Sequence, residues 1–513
     1  MAKQSTPPVW RDSLSTQQCV PLTGDLACDV CVIGAGIAGL TTAYELALSG
    51  KQVVVVDPNP SAGGGETRFT TAHLASAIDD RFQEVIRIRG KHMARLAYQS
   101  HAAAIDRIEA ICQAESISCG FRRANGYLFP APGDAKLIES EFEAATSAGC
   151  PVELQETLPI SDFGDGPCLR FSNQATFEPS RYLDGLFAAA KRHGAKFYGK
   201  SRATEVTGGS PAIVRTERGG TIRATAVVVA TNTPIHTRVT MHSKLAAFST
   251  YAIAGPIPRG SIPDALYWDT LDPYHYIRLV TSLDRDDLEP DTDLLIVGGA
   301  DHKTGQESDP ARRWDDLENW ARERFPQFKK VTHFWSGMVM ETLDGLAYIG
   351  ADPSGEKNVY LVTGDSGMGM THGTIAGQLL RDLILDRPNP WTELYDPARL
   401  PFRSTGEYIS DGANVAMQYT DWLTSGDVRS EKDIERGEGA VVRHGLSKLA
   451  VYCETDGKMH SMSAVCPHLG GLVRWNSAEK TWDCPCHGSR FEAKGAVIHG
   501  PANTGLSLLE AKS

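Results

Sequence analysis

Short apolar runs alternate with amphipathic stretches from the start of the chain. Asp29–Ile33 and Gln52–Asp57 are apolar runs of strand length, and Ile37–Ser49 between them carries apolar residues at helical spacing. Runs of this kind bounded by glycine read as strands buried on both faces, so the order predicts a βαβ unit. From about Phe82 to Ala114, Ile86, Met93, Leu96, Ile105, Ile108 and Ile111 repeat with helical period and predict a long helix. Asn125-Gly126 beside Tyr127-Leu128-Phe129 predicts a hairpin turn. Ala246–Ile253, Tyr274–Val280 and Asp293–Val297, rich in aromatic and β-branched residues, predict an antiparallel sheet. Val359–Thr363 predicts a further strand, followed by a Gly-rich turn and a helix over Thr374–Leu385.

The pattern then changes. Pro388, Pro390, Pro397 and Pro401 mark the end of a first module. Ala413–Leu423 places Val415, Tyr419, Trp422 and Leu423 on one helical face without Lys or Arg, which predicts a helix docked on the protein body. Glu431–Gly439 reads as a join, and short strands and turns continue to Ser513. The expected organisation is a module over 1–386, a linker with a docked helix over 387–432, and a small module over 433–513.

Composition narrows the function. The chain has 513 residues, 41% apolar and 22% charged, which fits a globular protein with a sizeable core. A net charge of −12 argues against a nucleic-acid or anionic-membrane partner. No apolar run reaches the roughly 18 residues of a membrane-spanning helix, and Met1 to Arg11 has no apolar export signal, so the expected location is the cytoplasm. Seven of the eleven cysteines (Cys19, Cys28, Cys31, Cys112, Cys119, Cys150, Cys168) are scattered, whereas Cys453, Cys466, Cys484 and Cys486 fall within 34 residues. In a reducing compartment such clustering points to metal chemistry before disulfides.

Gly34-Ala35-Gly36-Ile37-Ala38-Gly39 follows the first strand and opens the helix. Gly34 permits the turn, Gly36 lets the backbone approach a pyrophosphate, and Gly39 allows close helix–strand packing. Asp57 ends the second strand 18 residues later, where a carboxylate can accept from ribose hydroxyls. This is one complete dinucleotide fingerprint, so NAD(P)H is not expected to bind as well. A second turn, Gly364-Asp365-Ser366-Gly367-Met368-Gly369, has a different glycine order. Its N–H groups could face a flavin pyrimidine ring, or it could be a plain strand-to-helix turn.

Val32–Gly39, Gly63-Gly64-Gly65-Glu66-Thr67-Arg68, Val227–Thr231 and Val362–Thr371 resemble motifs of the D-amino-acid oxidase/glycine oxidase superfamily of FAD-dependent oxidoreductases. The resemblance implies an α/β fold, a Rossmann-like FAD domain interleaved with an antiparallel-sheet substrate domain. It also implies that Arg68, Thr70, Thr71 and Ala72, Thr231, and Gly364 with Gly367, Met368, Gly369, Met370 and Thr371 approach the flavin. Asp344-Gly345 resembles a turn of that family and is read as architecture.

Cys466-Pro467-His468 and Cys484-Pro485-Cys486-His487 place one Cys and one His ligand in each of two loops. A Rieske [2Fe–2S] centre takes two Cys on one iron and two His on the other, here Cys466 with Cys484 and His468 with His487. A structural zinc site is the rival, although it usually groups Cys with Cys and His with His. The surroundings, Cys466–Gly471, Cys484–Phe491 and Gly500-Pro501-Ala502, resemble a small all-β Rieske domain. Gly471 stands where high-potential members of that family carry a cysteine paired across the loops, and Phe491 where they carry a tyrosine. The resemblance therefore implies no such disulfide and a lower potential, with Cys453 and Cys486 as free thiols.

A flavin beside a Rieske cluster converts two-electron into one-electron chemistry. The expected activity is oxidation of a C–N bond in an amino acid or N-substituted amine, with electrons leaving singly through the cluster to a carrier protein. The alternative is a module relaying electrons between cluster and flavin for a partner enzyme. Tyr274, Tyr276 and Arg278 share one strand face, from which Arg278 could grip a substrate carboxylate. Core aromatics with a surface arginine is the plainer reading. His372 is a further candidate, equally readable as a satisfied histidine at a helix start.

Overall fold

The computed structural model describes residues 3–10, 18–160, 166–236, 241–281, 285, 288–400, 414, 415, 417–423, 425–445 and 447–508. Its first sheet is built on valine. Leu26–Ile33 pairs in parallel with Val53–Val56 on one side and Thr221–Val229 on the other, and Val359–Thr363 and Lys196–Tyr198 extend the parallel order. The inner halves of these strands are buried on both faces, which is why they read as unbroken apolar runs. Ile37–Leu48 and Gly369–Ile384 pack together on one face, with Gly373 and Gly377 letting the two helices approach.

The second sheet has nine strands and is mostly antiparallel. Leu245–Pro258 is its longest strand, next to the edge, flanked by Thr292–Lys303 and the edge strand His333–Thr342. The expected strands over 246–253, 274–280 and 293–297 lie inside longer or nearly coincident ones. Two local expectations are corrected. The long helix is two, Phe82–Arg89 and Lys91–Glu115, broken where Gly90 adopts φ +85°. Asn125-Gly126 makes no hairpin turn but sits within the strand Arg122–Phe129, beside a register irregularity. A β-carbon on Gly126 would lie 2.7 Å from the Trp268 ring, so the glycine makes room for that indole.

Packing of the first module runs past residue 386. Arg399 is buried and chelates Asp344 through Nε and Nη2 at 2.9 and 2.8 Å. The N-terminal segment also belongs to the core: Trp10 is fully buried and donates to the Thr70 carbonyl at 2.7 Å.

The last module is all-β, with one sheet of Gly439–His444, Ser447–Cys453 and Met459–Ser463 and a second of Arg474–Asn476, Thr481–Asp483, Arg490–Glu492 and Val497–His499. Of the expected docked helix, Ala413 and Ala416 lie outside the described residues, as do Pro401, Met1, Arg11 and Ser513. The remainder ends in the 3₁₀ turn Tyr419–Leu423, and its Tyr419 and Trp422 donate to the carbonyls of Leu469 and Gly470. Among the described residues no helix is long and apolar enough to cross a membrane.

Candidate functional site: a flavin cavity beneath two cysteine–histidine loops

The first strand ends where Gly34 turns the chain at φ +107°. A β-carbon there would fall 2.3 Å from the Ala230 carbonyl oxygen, and one on Gly39 would fall 1.9 Å from the oxygen of Gly34. Only hydrogen at these two positions allows the turn to close over the sheet. The Ile37 N–H donates to Thr67 Oγ1 at 3.1 Å, and a β-carbon on Gly36 would approach the same oxygen to 3.0 Å. Asp57 accepts from the N–H of Ala35 at 2.7 Å and from that of Asn59 at 2.7 Å. Burial pushes its carboxyl up and these hydrogen bonds oppose the shift.

A cavity of about 310 Å³ begins here. Gly34, Ala35, Gly36, Ile37, Ala38 and Asp57 line its outer end, and Thr70, Thr71, Thr231, Gly367, Met368, Gly369, Met370 and Thr371 line it further in. Gly39, Arg68, Ala72 and Gly364 stand off the wall; the Arg68 guanidinium lies 4.6 Å from the Phe69 ring centre. Backbone glycines around a cleft, a helix start and a carboxylate at one end form a cradle that fits the phosphates and ribose of FAD.

The catalytic candidates separate. Tyr276 lines the cavity, with its hydroxyl 2.9 Å from Thr250 Oγ1, and Tyr274 beside it donates to Asp79 Oδ2 at 2.7 Å. Arg278 is corrected. It is fully buried behind the wall, where Nη1 donates to the carbonyls of Thr71, Ala72 and Phe177 and Nε to that of Leu279. It props the Thr71-Ala72 segment and does not reach the cavity. His372 lines the cavity, but both ring nitrogens are engaged: the Ala347 N–H approaches Nε2 at 3.4 Å, leaving Nδ1 to donate to the Asp365 carbonyl at 2.9 Å. Burial pushes its pKa down to about 4, so it is a neutral helix-start histidine.

The two cysteine–histidine loops repeat one geometry. The Gly470 N–H donates to the Cys466 carbonyl and the Gly488 N–H to the Cys484 carbonyl, each at 3.0 Å, and both glycines have φ +77°. The turns present Cys466 and Cys484 to each other and place the His468 and His487 ring centres 5.0 Å apart at 88°. Hydrogen bonding to the Cys484 sulfur, then burial, pushes the Cys466 thiol far up, so a pair of thiolates here needs a cation. Among the described residues no three His, Cys, Asp or Glu side chains converge on one metal position. A mononuclear zinc would require four ligands, whereas a two-iron cluster takes two protein ligands per iron. The donor set fits the cluster. A β-carbon on Gly471 would lie 2.5 Å from the Cys486 sulfur, so the position opposite Cys486 holds only hydrogen.

These loops face the first module. His242 packs edge-on against His468 at 4.6 Å and lies 6.0 Å from His487. Gly488 meets the strand His333–Thr342, where its β-carbon would lie 3.5 Å from the Met338 sulfur. Met338 lines the flavin cavity and donates its N–H to Glu66 Oε2 at 2.9 Å. The last strand of the small module completes the enclosure, with Ile498, His499, Gly500, Ala502 and Asn503 on the cavity wall. His499 Nδ1 lies 3.3 Å from Glu66 and Nε2 3.2 Å from Thr233 Oγ1. Burial drives the Glu66 carboxyl up, but His499 and the Met338 N–H outweigh it and leave the pKa lowered. None of this docking had a sequence signal, because no local pattern records which surface a second module covers.

A nucleotide-binding parallel sheet, an antiparallel sheet over its cavity and a small β module with paired Cys–His loops define a flavin and iron–sulfur oxidoreductase. The chain belongs to the FAD dependent oxidoreductase family, which matches residues 29–383, and carries a Rieske [2Fe-2S] domain over residues 424–510. The first part binds FAD and the second a [2Fe–2S] cluster. Over its whole length the chain resembles the putative Rieske 2Fe-2S iron-sulfur protein YhfW of Bacillus subtilis, at 31% identity over 99% of this chain and 98% of that protein. The gamma-glutamylputrescine oxidoreductase of Escherichia coli is 27% identical over 71% of this chain and 85% of its own. Glycine oxidase from Geobacillus kaustophilus shares the fold of the first module, with a TM-score of 0.62 at 17% identity over 73% of this chain and 99% of that one.

Proposed function

We propose that the protein oxidises the C–N bond of a small amine and passes the electrons one at a time through its own Rieske cluster to an external carrier protein. Bound FAD supplies acceptance of two electrons and a hydrogen from carbon, and the cluster supplies their single-electron exit. The observation that carries this reading is the seating of the ligand loops: Gly488, next to His487, rests on Met338, and Met338 is cavity wall. The chain's own residues do the remaining work. Tyr274, Tyr276 and Trp268 form an aromatic wall for the substrate, and His499 with Glu66 lies on the side of the cavity toward the small module.

Gly34, Gly36, Asp57, Thr231 and the 367–371 turn are proposed as the FAD contacts, and Cys466, His468, Cys484 and His487 as the cluster ligands. None of the eleven cysteines is in a disulfide, which suits a reducing cytoplasm. The test is a single-turnover reaction without oxygen, followed by flavin absorbance and rapid-freeze EPR. Amine addition is expected to bleach the flavin and raise a Rieske signal in the same molecules. A bleached flavin with a cluster that stays oxidised would overturn the route.

A further inference from the structure

Four carboxylates from four separate segments, Asp79, Asp301, Glu341 and Asp365, line the inner cavity. Among the described lining residues His499 acts on Asp365, and Arg313, off the wall, acts on Asp301. The one Arg or Lys among the described lining residues is Arg202, which lies near Asp57 at the opposite end. Arg278 is committed to backbone carbonyls, and Arg81, which interacts with Asp79 and Asp80, is not part of the wall. Oδ1 of Asp301 and Oδ1 of Asp365 are buried without a hydrogen-bond partner. A buried carboxylate oxygen lacking a donor is uncommon in a finished structure.

Burial, then the neighbouring Asp80, Asp79, Asp365 and Asp301 charges, push Glu341 far up. Burial lifts Asp79 to about 7 and Asp301 to about 6, so the empty wall holds protons that an arriving cation displaces. The acids are near enough to raise one another, with Asp79, Asp365 and Asp301 all acting on Glu341. Tyr274, Tyr276 and Trp268 also line the cavity, and aromatic rings attract ammonium groups.

We propose that the inner cavity recognises a cationic amine without a carboxylate, of which alkyl diamines are the type, through Asp79, Asp301 and Glu341 and the Tyr274–Tyr276 wall. The proposal rests on the amine-oxidation reading above and narrows it. An amino acid would bring its own carboxylate to a wall with no guanidinium to receive it, whereas an ammonium group exchanges for the protons that Asp79, Asp301 and Glu341 hold.

The test uses holoenzyme without oxygen and a matched set of amines: 1,4-diaminobutane, ornithine as the same diamine bearing a carboxylate, sarcosine and proline. Diaminobutane is expected to bleach the flavin with kcat/KM at least about tenfold above the others, the weight of one charge contact. Calorimetry on dithionite-reduced holoenzyme, which cannot turn over, should show the same order of binding. Asp301→Asn should weaken diaminobutane binding about tenfold while the flavin spectrum stays native. Reduction by sarcosine, proline or ornithine in preference to diaminobutane would overturn the substrate class and leave amine oxidation standing. If no amine reduces the flavin, the underlying reading falls and this proposal with it. An Asp301→Asn variant with unchanged diaminobutane affinity would remove that residue from the site.

Discussion

Tyr274 donates to Asp79 at 2.7 Å, while the neighbouring Asp301 keeps one buried oxygen without a donor. Burial raises both carboxyls, to about 7 and about 6, above the unfolded value of about 3.9. The linkage has a definite sign. The folded chain holds protons that the unfolded chain has released, so stability falls as pH rises from about 4 through 7. Cation affinity runs the other way, because the wall ionises across the same interval. The thermal midpoint of substrate-free holoprotein is therefore expected to drop between pH 5 and pH 8 while KM for an amine cation falls. Parallel scanning calorimetry and initial-rate profiles check both, and a KM that rises with pH would contradict the assignment. The sequence disclosed cofactors but not this wall, for a physical reason. The Gly34–Gly39 turn and the two Cys–His loops are each contiguous, whereas residues 79, 301, 341 and 365 meet only after two sheets have formed. Arg278 misled because alternation along a strand gives its face but not what covers that face.

At the level of elements, Glu479 joins the two modules. It accepts from Ser336 Oγ on the strand His333–Thr342 at 2.6 Å and from the buried Arg490 of the small module at 2.6 Å. Asp483 also holds Arg490, at 3.0 Å. Removing one partner of a buried pair costs about 3 kcal/mol, and Glu479→Ala is expected to lose that much in equilibrium urea unfolding. A change below about 0.5 kcal/mol, typical of an exposed surface site, would show that the contact does not hold the modules together. The same scale explains two misread elements. Asn-Gly is a strong turn signal when nothing packs on it, but the Trp268 ring over Gly126 turns the absent side chain into a packing requirement. Periodicity carried the helix across Gly90, whose positive φ divides it.

For the molecule as a whole, the fold class and both cofactors were legible, and the joining of the two sites was not. Strand periods and ligand spacings are internal to each module. The contact of His242 with His468 and of Gly488 with Met338 depends on surfaces with no shared sequence pattern. The small module also supplies His499 and four other residues to the wall of the flavin cavity. A chain ending at residue 400 is thus expected to retain FAD at least about tenfold less well, equivalent to about 1.4 kcal/mol. Fluorescence titration of the truncated apoprotein against the full chain measures it, and equal affinities would mean that those residues only cover the site.

The borrowed wall also orders the protein's biogenesis. Residues 498–503 are synthesised some 460 residues after Gly34, so a ribosome holding the nearly complete chain displays a flavin cleft that still lacks one side. Nucleotide binding before that point meets a cavity without His499 and its neighbours. Folding of the small module then adds that side, which makes flavin retention a report on whether the last module has folded.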